Sequence, residues 1–303
     1  MKGIDNNLHL GVGNVSSDAD LGKYYQDIAP AIVHILQGRI SKLDEHGIPY
    51  LEDKGQKYYS PVSIIQYGLM GHDLLKEKDD EEVNKKRFIT CMNWLEENKQ
   101  EFNNSIVWRN IPNKQYSLPD GWISGMYQGQ AISIYLRAYQ YFQNESYLET
   151  ARLILNSFVY DYSEGGFKRI DENGCLWFEE YPTNPASYVL NGYVYCILGI
   201  YDFYRVTKDE NALNLWNECV ITLEKNLPKY DVWYWSVYDQ LKKQLVSYYY
   251  QKNVHIPLMQ IMYQLTKKEI FNKYAVKWQK NLNNSFHRIV TQIMYRIQPR
   301  LKK

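Results

Sequence analysis

The 303-residue sequence predicts a mainly α-helical fold: an incomplete (α/α)4 toroid of inner and outer helices, with β-hairpins inserted at its cleft end. Three observations predict it. Helical patterns come in pairs, the first member apolar nearly all round and the second amphipathic and charged, as expected of a buried inner helix backed by a surface one. The first members start near residues 61, 128, 185 and 254, at intervals of 57 to 69 residues, which is the signature of a repeat architecture. Short aromatic segments with turn signals separate the pairs.

The first pair covers 61–76 ("PVSIIQYGLMGHDLLK"), with Pro61 suited to a helix start, and the polar stretch 81–100. The second covers 128–143 and 145–159. The third covers 185–206 and 209–226, with Asn184 as the expected cap of its inner helix. The fourth covers 254–266 and 267–284. Segments 107–118, 165–182 and 230–241 are the inserts, the middle one reading as a β-hairpin around "DENG". Residues 1–303 then form a single domain, with 1–22 as an N-terminal extension and 285–303 as a basic C-terminal tail. Inner-helix N-termini gathered at one end of a toroid present free N–H groups, so that rim suits an anionic ligand.

Composition bounds the function. No apolar run reaches membrane-spanning length and the start lacks an apolar leader, so a cytoplasmic protein without a membrane span is expected. Cys91, Cys175, Cys196 and Cys219 have no CxxC or zinc-like spacing and read as reduced packing residues. No metal-like histidine grouping occurs. The net charge of +1 hides an asymmetry: residues 225–303 hold 15 Lys/Arg against 3 Asp/Glu. Such a region attracts polyanions, but no nucleic-acid motif accompanies it, so nucleic acid is not an expected partner. Tyrosine is the compositional outlier, at 29 residues. Its flat apolar face and hydroxyl suit both sugar rings and wet helix packing.

One stretch concentrates chemistry: "WFEEYPTNPASYVLNGY", residues 177–193. Two carboxylates, a phenol and two large aromatics stand directly before Pro182. Adjacent strand residues point to opposite faces, so Glu179 and Glu180 do not readily flank one glycosidic bond, which argues against a hydrolase. Glu179 is expected to face outward, and Trp177 and Phe178 to wall a cleft. Pro182 ends regular pairing and lets Glu180 and Tyr181 converge. Elsewhere, Gln128 and Gln130 are not explained by capping, and Arg137 among apolar neighbours needs a carboxylate, either the protein's own or a bound one.

The segments "SPVSIIQYGL" (60–69), "GMYQGQAISIYLRAY" (125–139), "WFEEYPTNPASYVLNGYVYCILGIYD" (177–202) and "YDQL…YYYQKNVHI" (238–256) resemble, in order and spacing, the C-terminal catalytic domain of the D-glucuronyl C5-epimerase family, of the heparosan/heparan glucuronate type. The resemblance runs from about residue 20 to 284. It implies an α/α toroid that inverts C5 of uronic acid residues within an acidic polysaccharide, with no metal or nucleotide cofactor in the chemical step. It carries catalytic roles onto Glu180 and Tyr181, onto Tyr238, and onto a tyrosine of the 248–250 run, for which Tyr250 is the choice. Gln66, Tyr67, Gln128, Gln130, Arg137, Trp177, Asn184, Lys242 and His255 are the expected substrate-binding residues.

The chain departs from the family pattern in three ways. Tyr238-Asp239-Gln240-Leu241 stands where Tyr-Asp-Leu-Arg is usual, leaving Lys242 and Lys243 as the nearby cations. A tyrosine commonly stands four residues before the histidine of "HI", whereas Tyr250 stands five before His255, as if one residue were inserted. The separate β-rich N-terminal domain of the animal enzymes has no counterpart here, and a homodimer is one way to supply that wall. Two other readings share the scaffold: a lyase that expels the 4-linked oxygen from the same carbanion, and a non-catalytic glycan-binding protein.

Overall fold

In the computed structural model, which describes residues 8–301, the chain is a ring of helix pairs. A short helix α1 (Ile32–Leu36) and a three-stranded antiparallel sheet, β1 (Lys42–Leu43), β2 (Pro49–Asp53) and β3 (Gln56–Tyr58), precede the first pair, α2 (Pro61–Lys76) and α3 (Glu81–Asn98). Two small hairpins follow: β4 (Gln100–Phe102) with β5 (Ser105–Val107), and β6 (Arg109–Asn110) with β7 (Trp122–Ile123). The second pair is α4 (Gly125–Phe142) and α5 (Glu145–Asn156). Hairpin β8 (Lys168–Ile170)–β9 (Leu176–Phe178) leads to the third, α6 (Leu190–Thr207) and α7 (Glu210–Asn226). After β10 (Asp231–Val232), β11 (Trp235–Ser236) and a single turn α8 (Tyr248–Tyr250) comes the fourth pair, α9 (Ile256–Thr266) and α10 (Glu269–Asn283), and then α11 (Ser285–Leu301). The expected inner and outer helices are therefore present in the expected order, and residues 285–301 of the tail are helical.

Local signals explain most boundaries. Pro61 opens α2 after extended Ser60, and the Asn144 and Asp209 side chains accept N–H bonds at the starts of α5 and α7. The third inner helix corrects the sequence reading: α6 starts at Leu190, and Asn184 is exposed and caps nothing. Residues 181–189 instead form a loop through the cis Asn184–Pro185 bond.

Inner helices α4 and α6 pack through glycines. A Cβ on Gly129 would overlap the backbone of Cys196, and one on Gly199 would overlap that of Gly129, so only hydrogen permits this approach. All four cysteines are buried and unpaired.

Of the expected extension 1–22, residues 1–7 lie outside the described residues and 8–22 are part of the ring. Leu8, Leu10 and Leu21 are buried. The Leu10 N–H donates to Asn253 Oδ1 before α9, the Tyr24 N–H donates to Asp73 of α2, and the Tyr25 hydroxyl donates to Asp202 of α6 at 2.7 Å. Residues 8–28 thus bridge the gap between the fourth and first pairs. Among the described residues no helix is long and apolar enough to cross a membrane.

Candidate active site: a buried glutamate among three tyrosines

β9 ends at Phe178, and the chain bends there. Phe178 packs against Phe158 and Phe167 in the core, and Trp177 packs against Tyr188 and Tyr193 with its N–H on Asp171, so neither walls the cleft as expected. Glu179, expected to face outward, is buried. Its Oε2 accepts from Ser187 Oγ at 2.6 Å and from the Tyr188 N–H at 2.9 Å, and Arg169 lies 3.4 Å from Oε1. Ser187 Oγ also lies 2.8 Å from the Tyr181 carbonyl, and Arg169 donates to the Thr183 carbonyl. Glu179 therefore clasps the loop that carries Tyr181.

Glu180 points the other way, into a cavity of about 320 Å3 that Tyr181, Tyr238 and Tyr250 also line. The Tyr238 hydroxyl donates to Glu180 Oε1 at 3.2 Å, and the Tyr238 and Tyr250 rings meet edge to face at 5.6 Å. Glu180 Oε2 and Asn191 Oδ1, both on this cavity, are buried without a hydrogen-bond partner. Unpaired acceptors of this kind are costly in a plain core and common where a ligand binds. The three tyrosines also line an adjoining chamber of about 330 Å3, so they stand at the boundary between two spaces.

Gly192, in the first turns of α6, makes room for the carboxylate: a Cβ there would overlap Glu180 Oε2 and Cβ. Gly192→Ala should push Glu180 out of place and slow any reaction that uses this carboxylate on the order of 10^2-fold, the cost of a misplacement of about 1 Å, with a circular dichroism spectrum like the parent's.

Burial sets the protonation states. It pushes Glu180 up to about 7, against hydrogen bonds from tyrosine, and Glu179 likewise up to about 7. Tyr181 is held well above 10 by burial and then by the charge of Glu180, as are Tyr238 and Tyr250. The folded protein thus keeps the Glu180 proton between 4.5 and about 7, where the unfolded chain has lost it. That stability is fully present below 4.5 and is lost as pH rises through about 7. Melting temperature of Glu180→Gln relative to the parent should therefore rise from about pH 5 to about pH 8; a pH-independent difference would contradict the assignment.

The remaining expected residues divide. Gln66 lines the cavity and donates to Gln130 Oε1 at 3.3 Å. Tyr67 faces the outer helix, with the Arg87 guanidinium over its ring. Gln128 is sealed in the core, bonded to the Ile106 carbonyl and Ser157 Oγ, and Gln130 is buried behind Gln66. Arg137 has its carboxylate inside the protein, Asp202 at 2.8 Å, so it holds no substrate. Lys242 lies over the Tyr116 ring at 4.6 Å and bonds the Gln115 carbonyl. His255 is buried under Tyr250, its Nδ1 2.8 Å from Ser236 Oγ, and burial lowers it to about 3. It supports the tyrosine and stays neutral.

The residue inserted before His255 has a visible consequence. Gln251–His255 form a π turn, the usual way a helix absorbs one extra residue, and the Tyr250 ring thereby lies 5.3 Å from His255. Of the tyrosine run, Tyr249 and Tyr250 line the cavity and Tyr248 is exposed. Sequence reasoning missed Tyr116: its ring stacks on Tyr181 at 4.1 Å and its hydroxyl donates to Asp239 at 2.5 Å. Nothing in "NKQYSL" marks it. Among the described residues no Lys or Arg lines either chamber, and no group of three His, Cys, Asp or Glu is placed to hold a metal.

The ring of helix pairs is an α/α toroid of the kind seen in a sugar epimerase. The cellobiose 2-epimerase of Bacillus thermoamylovorans B4167 superposes with a TM-score of 0.55 at 12% identity, over 83% of this chain and 69% of that one. Residues 72–280 match the family described as D-glucuronyl C5-epimerase C-terminus, and the chain belongs to that family. It is 31% identical over 238 residues to a D-glucuronyl C5-epimerase of Caenorhabditis elegans, covering 72% of this chain and 38% of the worm protein. It is 34% identical over 179 residues to an uncharacterized protein of Methanocaldococcus jannaschii, covering 58% of each.

Proposed function

We propose that the protein is a cofactor-independent C5-epimerase of uronic acid residues within an acidic polysaccharide, interconverting D-glucuronate and L-iduronate. The observation that carries this reading is the buried Glu180 in one cavity with Tyr181, Tyr238 and Tyr250. Family membership supports it. Inversion requires removal of the proton α to the carboxylate and delivery of another from the opposite ring face. A tyrosine held well above 10 is no base alone, but Tyr238 already donates to Glu180. As one tyrosine oxygen takes the C5 proton, its hydroxyl proton passes to the Glu180 carboxylate. The tyrosine on the other face gives its proton to C5 and regains one from Glu180. The first transfer leaves Glu180 protonated, and the second returns the site to its starting state. Developing charge on the substrate carboxylate falls to the amides of Gln66 and Asn191, which line the cavity.

Glu180 must be ionised to accept the proton, so the turnover rate should rise with pH on a limb centred about 7. Glu179→Gln should keep that limb and Glu180→Gln should lose it. The deciding measurement is deuterium incorporation from D2O at C5 of a glucuronate polysaccharide without chain cleavage. An unsaturated uronate product would replace this reading with a lyase, and neither product with binding retained would replace it with a glycan-binding protein.

A further inference from the structure

A second groove, of about 330 Å3, runs between the β1–β2–β3 sheet and the loop joining β6 to β7. Tyr58 and Tyr59 line one part and Trp122 and Tyr127 another, with Lys114 at the edge. The groove adjoins the candidate active site. Tyr127 lines both spaces, and the Trp122 ring lies 6.1 Å from Tyr127 and 5.5 Å from Tyr181. Trp122 is fixed, its N–H on the Ile111 carbonyl at 2.8 Å, and Tyr59 is fixed by its hydroxyl on Asp44 at 2.8 Å. Leu51 and Ile111, at 43% and 48% exposure, are apolar side chains left at the groove wall in water. Lys114 is exposed, and it is the cation among the described residues lining the three neighbouring spaces; Asp53 is the acid of the same groove.

We infer that this groove is a binding subsite for a further pyranose unit of the glycan chain whose uronate lies at Glu180, the ring packed on Tyr58 and Trp122 and its carboxylate turned to Lys114. The reasoning is chemical. A pyranose has an apolar C–H face that packs on fixed aromatic rings and hydroxyls that suit a wet rim. A polymer held at two linked sites gains affinity through effective concentration, which a short fragment cannot do. The inference rests on the proposed function for its ligand class, and its test is separate from turnover.

The test is equilibrium binding of a tetrasaccharide and a decasaccharide of alternating glucuronate and N-acetylglucosamine to the full chain, with deuterium exchange measured in parallel. The parent should bind the decasaccharide at least ~10-fold more tightly. Tyr58→Ala and Lys114→Gln should each erase most of that advantage and leave tetrasaccharide affinity unchanged. Lys114 is exposed and Tyr58 is partly exposed, both on small surface elements, and unchanged tetrasaccharide binding reports an intact fold. A length advantage that survives in both variants, or none in the parent, overturns the subsite. Length-dependent binding lost in the variants, with no deuterium exchange by the parent, keeps the subsite and removes the epimerase reading instead.

Discussion

Tyr181→Phe should leave the protein folded and lower C5 deuterium exchange by about 10^2- to 10^4-fold, the range that a positioned proton-transfer group contributes. The fold should survive because the ring, not the hydroxyl, makes the packing. Tyr181 stacks on Tyr116 at 4.1 Å with planes 10° apart, and lies 5.5 Å from Trp122; phenylalanine keeps both contacts. In the proposed mechanism the lost oxygen is the atom that exchanges a proton with substrate and with Glu180. Affinity for a glucuronate oligosaccharide should change little, so the loss should fall on kcat. Tyr116→Phe provides the contrast. It keeps the stack but loses the bond to Asp239 at 2.5 Å beside Tyr238, so it loosens the geometry without removing a reacting group and should cost less than Tyr181→Phe. Exchange by Tyr181→Phe within about threefold of the parent would sink the assignment of Tyr181 as a proton donor or acceptor.

What the sequence disclosed follows a physical division. Inner helices α2, α4 and α9 carry continuous apolar runs, and their periodicity announces them. The start of α6 was misplaced because Asn184-Pro185 imitates a capped helix start, while the loop is set by a long-range clasp of Glu179, Ser187 and Arg169. Glu180, Tyr181 and Tyr238, nominated through their resemblance to a family motif, meet in one cavity. Trp177, Gln128 and Arg137 were not separable from site residues by type alone, because a buried polar group satisfied inside the protein has the same letter as one awaiting substrate. Tyr116 comes from a loop more than 60 residues before Tyr181 and meets it only in the folded toroid. Tyrosines stand in two settings: Tyr193 and Tyr230 donate to backbone carbonyls in the core, and Tyr181 and Tyr250 line the cavity.

Asp202→Asn should produce the largest stability loss. Asp202 is wholly buried between two buried guanidinium groups, with Arg137 at 2.8 Å and Arg205 at 3.2 Å, and it also accepts the Tyr25 hydroxyl. The two arginines complete their bonding on carbonyls of the N-terminal segment: Arg137 on Gly22 and Lys23, Arg205 on Asp18 and Asp20. One carboxylate therefore balances the cations that tie residues 18–25 to α4 and α6. Removing its charge leaves two guanidiniums facing each other in the interior, and breaking such a pair costs about 3–5 kcal/mol. For a chain of this size that is a fall in melting temperature on the order of 10 °C. The amide keeps the shape, so the loss reports charge and not a cavity. Protease cleavage near residues 15–25 should accelerate in the same variant, because the segment loses its anchors while the outer helices keep theirs. A melting temperature within about 1 °C of the parent would mean that the guanidinium of Arg137 finds its balance elsewhere, and would return that residue to the list of carboxylate ligands for substrate.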